Sequence, residues 1–369
     1  MTKSLLFSLS LFILIFITLS PISESRDPHI INFRSPGLYP EGLAWDPVSQ
    51  HFIVAAIRRG TFHSVSDAGV AETLTLALTS SEINLPPNPV VLGLAVDSRR
   101  NRLIATVNTV KSPYLAAFSL QRTSISLLYL SRLPTTSPST AVAKSVAIDP
   151  HGNAYVTNSG ENFIWKVTEN GTASILSKSS KFTRHPVDLT SPYSYWGLNG
   201  IAYVTGKEYL LVLQSNTNKM FKVDAVDGKS TSVAIPAELT EAGGIAVRED
   251  GVVVVITKGE AWMMKSDDSW GRGGVIDRIA LDREGYASSV TVGGGGRVYV
   301  LYGYVEEGIK GIWREEEREW FRIEEVRSKK ESDGESVWPF VMIGLGLVYF
   351  LFWRFQMGRL VKNLDKKHG

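Results

Sequence analysis

Short apolar segments separated by polar turns recur along most of the chain, and six of them align without gaps. Their sequences are EGLAWD (41–46), LGLAVD (92–97), KSVAID (144–149), NGIAYV (199–204), GGIAVR (243–248) and SSVTVG (288–293). The fourth positions of successive segments lie 44 to 55 residues apart. A period of this length is typical of β-propeller blades, so the pattern predicts six structural repeats.

A second apolar run follows each aligned segment after a polar turn. These runs are HFIVAA, NRLIATV, GNAYVTN, EYLLVLQ, GVVVVIT and GRVYVLY. Their Val, Ile, Leu and Tyr content favours strands that are buried on both faces. Asn-Gly at 170–171 and Asp-Gly at 227–228 are hairpin turns, which indicates third and fourth strands in the repeat. The sequence therefore predicts an all-β fold, a six-bladed β-propeller, over residues 26–326. We expect Ile30 to Phe33 to close the ring by pairing with the last blade.

Both ends of the chain are apolar. Residues 1–25 contain Lys3, an apolar run and the small residues Ser23 and Ser25, which predicts a cleaved signal peptide. A retained signal anchor is the alternative.

Residues 338–353 carry no charge and have Trp at each end, which predicts a transmembrane helix, with a buried core helix as the alternative. Residues 327–337 have the composition of a linker.

The charges after the apolar C-terminal segment predict the topology. The tail, residues 354–369, contains Asp365 and the basic residues Arg354, Arg359, Lys362, Lys366 and Lys367. An excess of basic residues predicts a cytoplasmic tail and hence a lumenal or extracellular propeller.

Lys366 and Lys367 are fourth and third from the carboxyl terminus, as in the dilysine retrieval signal that coat proteins read. We therefore expect the endoplasmic reticulum membrane, with the plasma membrane and an extracellular body as the alternative. The sequon Asn170-Gly171-Thr172 would then be open to glycosylation.

Composition, net charge and residue spacing argue against several classes of function. The net charge is +2 and there is no cysteine among 369 residues. Nucleic-acid binding is not expected, because it calls for a strongly basic face. The six histidines show no paired ligand spacing and no nucleophile elbow is present, so neither zinc nor triad chemistry is predicted.

The repeats resemble the regucalcin/gluconolactonase-like family, also called the calcium-dependent phosphotriesterase superfamily. The likeness covers most of residues 36–325. Its most specific stretch is PEGLAWDPVSQHFIVAAIRRGTFHSV (40–65), which is similar to the opening Glu-Gly-x-x-Trp-Asp blade of that family, while LNGIAY (198–203) is similar to its Asn-Gly blade. Other six-bladed propellers, such as the strictosidine synthase-like group, are near neighbours.

The first residues of the aligned segments should meet at one mouth of the central channel, because each begins an innermost strand. They are Glu41, Leu92, Lys144, Asn199, Gly243 and Ser288. The resemblance implies a calcium ion or another divalent cation there, held by a Glu, two Asn and an Asp that also serves as general base. Glu41 and Asn199 match and are the candidate metal ligands, but Lys144 replaces an Asn and Gly243 replaces the Asp.

These departures leave several interpretations of the ring. Lys144 could act as a fixed positive charge in place of the metal, Lys144 and Glu41 could form a structural ion pair, or an unrecognised base could act. Glu161, Asp188 and Glu241 are further acidic residues that we expect on loops of the top face and that could act as the base, but their spacing does not single any of them out.

Two hypotheses follow for the function. One is a membrane-anchored propeller with a degenerate metal site that binds a small molecule or protein partner on its top face. The alternative is a divergent metal-dependent lactonase or esterase.

Overall fold

The structure, a computed structural model, describes residues 27–57, 60–74, 88–121, 125–182, 196–310, 317–328, 330 and 337–365. The predicted signal peptide, Asp188, Lys366 and Lys367 lie outside the described residues. Residues Pro28–Arg327 form one compact unit. The C-terminal helix belongs to a second unit.

The described part of the compact unit contains six four-stranded antiparallel sheets, one for each predicted repeat. Blade 1 comprises β2 (Pro40–Asp46), β3 (His51–Ala56), β4 (Phe62–Val65) and β5 (Ala71–Thr73). Blade 2 comprises β6 (Val90–Asp97), β7 (Arg102–Asn108), β8 (Pro113–Leu120) and β9 (Ile125–Arg132). Blade 3 comprises β10 (Ala143–Ile148), β11 (Ala154–Asn158), β12 (Phe163–Val167) and β13 (Ala173–Ser177).

Blades 4 to 6 repeat this order. Blade 4 comprises β14 (Leu198–Val204), β15 (Tyr209–Gln214), β16 (Lys219–Asp224) and β17 (Ser230–Ser232). Blade 5 comprises β18 (Gly244–Val247), β19 (Val253–Thr257), β20 (Glu260–Lys265) and β21 (Gly274–Ala280). Blade 6 comprises β22 (Ala287–Val292), β23 (Val298–Tyr302), β24 (Trp320–Val326) and, from the start of the chain, β1 (Ile30–Arg34). A short helix, α1 (Val305–Lys310), lies between β23 and β24.

The ring closes through β1, as the sequence predicted. Ile30 pairs with Glu324 and Arg34 pairs with Trp320, in antiparallel register. The innermost strands β2, β6, β10, β14, β18 and β22 contact one another in that order, and β22 contacts β2. This arrangement confirms a six-bladed propeller and protects the outer edge of the last blade.

The hydrophobic core lies between neighbouring blades. The second strands β15 and β19 are buried at every position, in agreement with sequences that are apolar up to their last residue. One cluster joins blades 6 and 1 through Phe52, Tyr299 and Phe321, all at most 2% exposed. Similar clusters join the other neighbouring pairs. Because each interface is a packed core, the blades hold the channel residues in fixed positions.

The aspartates that end three of the aligned segments have a structural role. Asp46, Asp97 and Asp149 are buried and accept hydrogen bonds from backbone N–H groups two to four residues further on. A short polar side chain of this kind stabilises the turn into the next strand. These carboxylates are therefore part of the blade scaffold.

The C-terminal helix α2 runs from Val337 to Asp365 and contains the whole segment 338–353 that was predicted to span the membrane. Pro339 lies in its first turn, where backbone N–H groups have no partner within the helix. The segment Val341–Arg359 is 19 residues long, has a mean hydropathy of 1.4 and has no residue buried in protein. It rises about 28 Å, close to the thickness of a bilayer core. By length and composition, this helix can cross a membrane.

Candidate functional site

The first residues of five aligned segments lie in β-bulges. The pairing of each innermost strand with its neighbour shifts at Pro40/Gly42, Val91/Leu94, Ala143/Val146, Leu198/Ile201 and Ala287/Ser289. The first-position residues that lie between these paired positions are Glu41, Leu92, Lys144, Asn199 and Ser288. A bulge interrupts the alternation of a strand and redirects a side chain. The repeated bulge explains how residues from different blades point into one channel.

The structure brings all six first-position residues together. Glu41, Leu92, Lys144, Asn199, Gly243 and Ser288 line a narrow cavity of about 70 Å³ along the channel axis. All of them except Leu92 also line a larger cavity of about 210 Å³. We call the larger space the mouth cavity. The polar residues of the ring thus form the shared boundary between the channel and the mouth cavity.

Buried threonines hold the bulges in place. The Thr106 hydroxyl accepts a hydrogen bond from Gly93 N–H (2.7 Å) and donates one to the Lys144 carbonyl (3.1 Å). In the next blade, Thr157 accepts from Ser145 N–H (3.1 Å) and donates to the Asn199 carbonyl (2.7 Å). Each hydroxyl therefore satisfies polar groups freed by bulges in two successive blades. The recurring Thr in NRLIATV and GNAYVTN was the sequence signal for this role, and sequence analysis missed it.

Lys144 and Glu41 form an ion pair at the base of the mouth cavity. The Lys144 Nζ atom contacts Glu41 Oε1, and the two side chains are 10% and 11% exposed. Nζ also lies 4.8 Å from the centroid of the Trp196 ring. Removal from water disfavours the charged amine, so burial lowers the pKa of Lys144 from 10.5 to about 7.

The remaining ring residues are held by hydrogen bonds or leave space. The Asn199 amide donates to Ser215 Oγ (2.9 Å), which donates in turn to the Ala242 carbonyl (2.7 Å). The single hydroxyl proton of Ser288 has two acceptors in reach, the carbonyl of Leu301 (3.2 Å) in the same blade and that of Pro40 (3.4 Å) in blade 1. A Cβ atom added to Gly243 would meet no heavy atom within 4 Å. The missing side chain at that position therefore leaves room in the mouth cavity.

The residues present do not fit a hard divalent cation. Glu41 is the one carboxylate among the six ring residues, and the ammonium of Lys144 contacts it. Asn199, whose amide nitrogen donates to Ser215, supplies at most one further oxygen ligand through its amide oxygen. No group of three or more His, Cys, Asp or Glu residues suited to a metal ion exists within the described ranges. Calcium takes six to eight oxygen ligands, so this ring supplies too few, and its ammonium repels a cation.

The upper wall of the mouth cavity comes from loops and from α1. It contains the aromatic residues Trp196 and Tyr286, the apolar residues Val305 and Ile309, and the acidic residues Glu241 and Glu306. Ile309 is 62% exposed, at the rim. Sequence analysis did not find these wall residues except Glu241. The aromatic run before LNGIAY was the available signal for Trp196. The cavity therefore combines a mainly apolar wall, which also carries two carboxylates, with a buried charged base, as small-molecule sites do.

The two described acidic candidates differ in their surroundings. Glu161 is buried, and its carboxylate accepts hydrogen bonds from Thr136 Oγ1 and from Asn158 Nδ2 (3.1 Å). It lines neither the channel nor the mouth cavity, and its contacts give it a structural role. Glu241 lines the mouth cavity and lies 3.4 Å from Lys258 Nζ.

Comparison with known proteins supports the propeller fold and assigns no activity to this chain. No known protein family matches the sequence, and no curated protein matches it significantly. The solved structure of the major allergen Mala s 1 of Malassezia sympodialis is similar, with 16% identity, a TM-score of 0.66, and coverage of 82% of this chain and 97% of that one. A luciferin-regenerating enzyme is 11% identical, with a TM-score of 0.54 and coverage of 80% and 95%.

A candidate gluconolactonase is 14% identical, with a TM-score of 0.51 and coverage of 80% of this chain and 92% of that one. The structural neighbours therefore include the gluconolactonase-like propeller, and the fold implied by the sequence resemblance is confirmed. Because the same fold carries several activities, the residues of the site must decide the function.

Proposed function

We propose that this protein is a membrane-anchored propeller that binds a small organic molecule in the mouth cavity. The observation that carries this proposal is the Lys144–Glu41 pair beneath a cavity of about 210 Å³. The ammonium occupies the ring where related propellers are expected to hold a cation. The space above it is lined mainly by aromatic and aliphatic side chains, which can bury an apolar ligand, together with Glu241 and Glu306.

The same residues argue against hydrolysis by the metal-dependent mechanism. That mechanism needs a cation to polarise the substrate and a carboxylate to activate water. Lys144 stands in the cation ring and Gly243 stands where the carboxylate is expected. We therefore favour ligand binding over a divergent metal-dependent lactonase or esterase.

The anchor and its orientation form part of the proposal. We infer that Val341–Arg359 crosses the membrane, because its length and mean hydropathy suit a bilayer. The basic residues that follow favour a cytoplasmic tail. The propeller would then face the lumen of the endoplasmic reticulum, with retrieval through Lys366 and Lys367. Signal-peptide cleavage after Ser25 is part of this topology.

The experiment is to extract the full-length protein, purified in detergent, and identify co-purifying small molecules by mass spectrometry. Gly243→Phe fills the cavity, since no heavy atom opposes a side chain there. Val226→Phe is the matched control, because it adds the same ring at a site that is 71% exposed. We expect a compound in the parent and in Val226→Phe that is depleted in Gly243→Phe. Equal recovery from all three proteins would contradict the proposal.

Metal content and hydrolysis are measured on the same preparations. A stoichiometric divalent cation, together with lactone or aryl-ester turnover that is lost in Glu41→Gln, would establish the hydrolase instead.

A further inference from the structure

Lys144 has the surroundings of a nucleophilic amine. It is a ring residue on an innermost strand, and it lines both the channel and the mouth cavity. The ring of Trp196 lies 4.8 Å from its Nζ atom. A lysine held in a largely apolar pocket loses part of the hydration that favours its ammonium form, which activates the amine as a nucleophile.

The amine also has a proton acceptor in direct contact. Glu41 Oε1 contacts Lys144 Nζ, and both side chains are about nine-tenths buried. The other titratable or charged groups along the described wall of the mouth cavity are Glu241, Glu306 and Tyr286. Burial lowers the pKa of Lys144 to about 7, so a substantial fraction of the amine is neutral near neutral pH. A neutral amine, a carboxylate and an adjoining cavity are together the groups that imine formation requires.

We propose that the mouth cavity takes a small aldehyde or ketone with an apolar substituent, and that Lys144 forms an imine with its carbonyl carbon. This inference rests on the proposed small-molecule function and adds the chemical class of the ligand. The carbonyl group faces Lys144 at the base of the cavity. The substituent packs against Trp196, Tyr286 and Val305 on the wall.

The step balances without a metal or an added oxidant. The neutral Nζ attacks the carbonyl carbon, forming a C–N bond while the π electrons move to the carbonyl oxygen. Glu41 accepts a proton from the nitrogen and delivers it to that oxygen, which gives a carbinolamine. A second proton transfer through Glu41 releases the hydroxyl group as water and leaves the C=N bond. The reverse sequence returns the free amine and the carbonyl compound.

The test uses the full-length protein in detergent, with benzaldehyde as the probe and sodium cyanoborohydride to reduce any imine to a stable secondary amine. Peptide mapping by mass spectrometry then measures labelling at each lysine. Lys222 is the internal control, because its Nζ also lies over an aromatic ring, Tyr209 at 4.3 Å, and it does not line the mouth cavity. We expect Lys144 to be labelled roughly tenfold or more faster than Lys222 at pH 7, because burial lowers the pKa of Lys144 and Glu41 is in contact to accept its proton.

Variants separate nucleophilic attack from general reactivity. Lys144→Met should abolish the fast label, and Lys222→Met should leave it unchanged. Glu41→Gln should slow it, because the amide cannot accept the proton. Even if Lys144→Met does not fold, mapping the labelled lysines of the parent protein shows whether Lys144 reacts faster than Lys222. Labelling of Lys144 at or below the rate of Lys222 would overturn the inference.

Benzyl alcohol distinguishes failure of this inference from failure of the proposed function, since it has the same ring and no carbonyl group. Saturation-transfer NMR should detect its binding to the parent protein and to Val226→Phe, and a loss of binding in Gly243→Phe. Binding of benzyl alcohol with no selective label at Lys144 would overturn imine formation and leave the binding function standing. Absence of both signals would overturn both proposals.

Discussion

Lys144 and Glu41 are 103 residues apart in the sequence, and their side chains meet at the mouth of the propeller channel. Each is placed there by a bulge in an innermost strand of a different blade. The pair occupies the ring where the sequence resemblance implied a divalent cation. An internal ammonium therefore stands where an exchangeable metal ion was expected.

We predict that breaking this pair destabilises the fold. At pH 6, Glu41→Ala should lower the free energy of unfolding by about 1–2 kcal/mol, because the buried amine must then either stay charged without a partner or lose its proton about one pH unit below its pKa of about 7. Replacing both residues by Glu41→Leu and Lys144→Met should recover much of the loss, since no charge is then buried. Denaturant unfolding of the full-length protein measures these values.

The control for that experiment is the exposed pair Arg34–Glu319, with a distance of 3.0 Å and side chains that are 56% and 47% exposed. Glu319→Ala should lower the free energy of unfolding much less than Glu41→Ala does, because both of its charges are exposed to water. Equal losses at the exposed and the buried pair would show that the Lys144–Glu41 contact is solvated.

The burial of Lys144 also predicts a pH dependence. The pKa of Lys144 is about 7 in the folded protein and 10.5 as its ordinary value, so the unfolded chain binds more protons between these limits. The contribution of Lys144 to stability should therefore be constant below pH 7 and increase as the pH rises above 7. We would measure the unfolding free energy of the parent minus that of Lys144→Met from pH 6 to 9.5. A difference that falls with pH would contradict the direction of the pKa shift.

Asn170 offers a test of topology. It is exposed on the hairpin turn between β12 and β13, and Gly171 next to it adopts φ 87°. If the propeller faces the lumen, Asn170 is accessible to glycosylation, and glycosidase treatment should increase the gel mobility of the parent but not of Asn170→Gln. Protease added to intact vesicles should spare the propeller and remove only the tail. Digestion of the propeller under those conditions would reverse the proposed orientation.

The dilysine sequence predicts the location. Changing Lys366 and Lys367 to Ser should move the protein from a reticular distribution toward the cell surface, as seen by surface labelling in intact cells. Adding two alanines after Gly369 is the matched control, because it keeps both lysines and moves them away from the third and fourth positions. Both changes should release the protein. Retention of both variants would assign localisation to another segment.

The repeat and the strands could be predicted because strands that are buried on both faces have mostly apolar sequences. The six aligned segments became the inner strands, and the ring closure through Ile30–Arg34 followed from the need to cover an edge. The helix α2 extends beyond the predicted membrane span, because hydropathy indicates only the apolar segment and the helix continues to Asp365 through polar residues. A helix end depends on backbone hydrogen bonds more than on hydropathy.

The ring residues could be named from their aligned positions, but their surroundings could not. Trp196 and Tyr286 lie in connections between blades, and Val305 and Ile309 lie in a helix inserted within blade 6. No repeat relates these segments to one another, so alignment gave no signal. The contact between Lys144 and Glu41 was one of several interpretations, and side-chain geometry was needed to choose it.

The most direct test of the central claim is thermal unfolding with calcium and with chelator, for the parent and for the double variant Lys144→Asn plus Gly243→Asp. The double variant removes the ammonium and adds a carboxylate where no heavy atom obstructs one. Calcium at 100 times its dissociation constant would then stabilise the fold by about 2.7 kcal/mol. We predict a calcium-dependent rise in the unfolding temperature of the double variant and none in the parent. An equal rise in the parent would show that the native ring already binds metal, and would contradict the account of Lys144 given above.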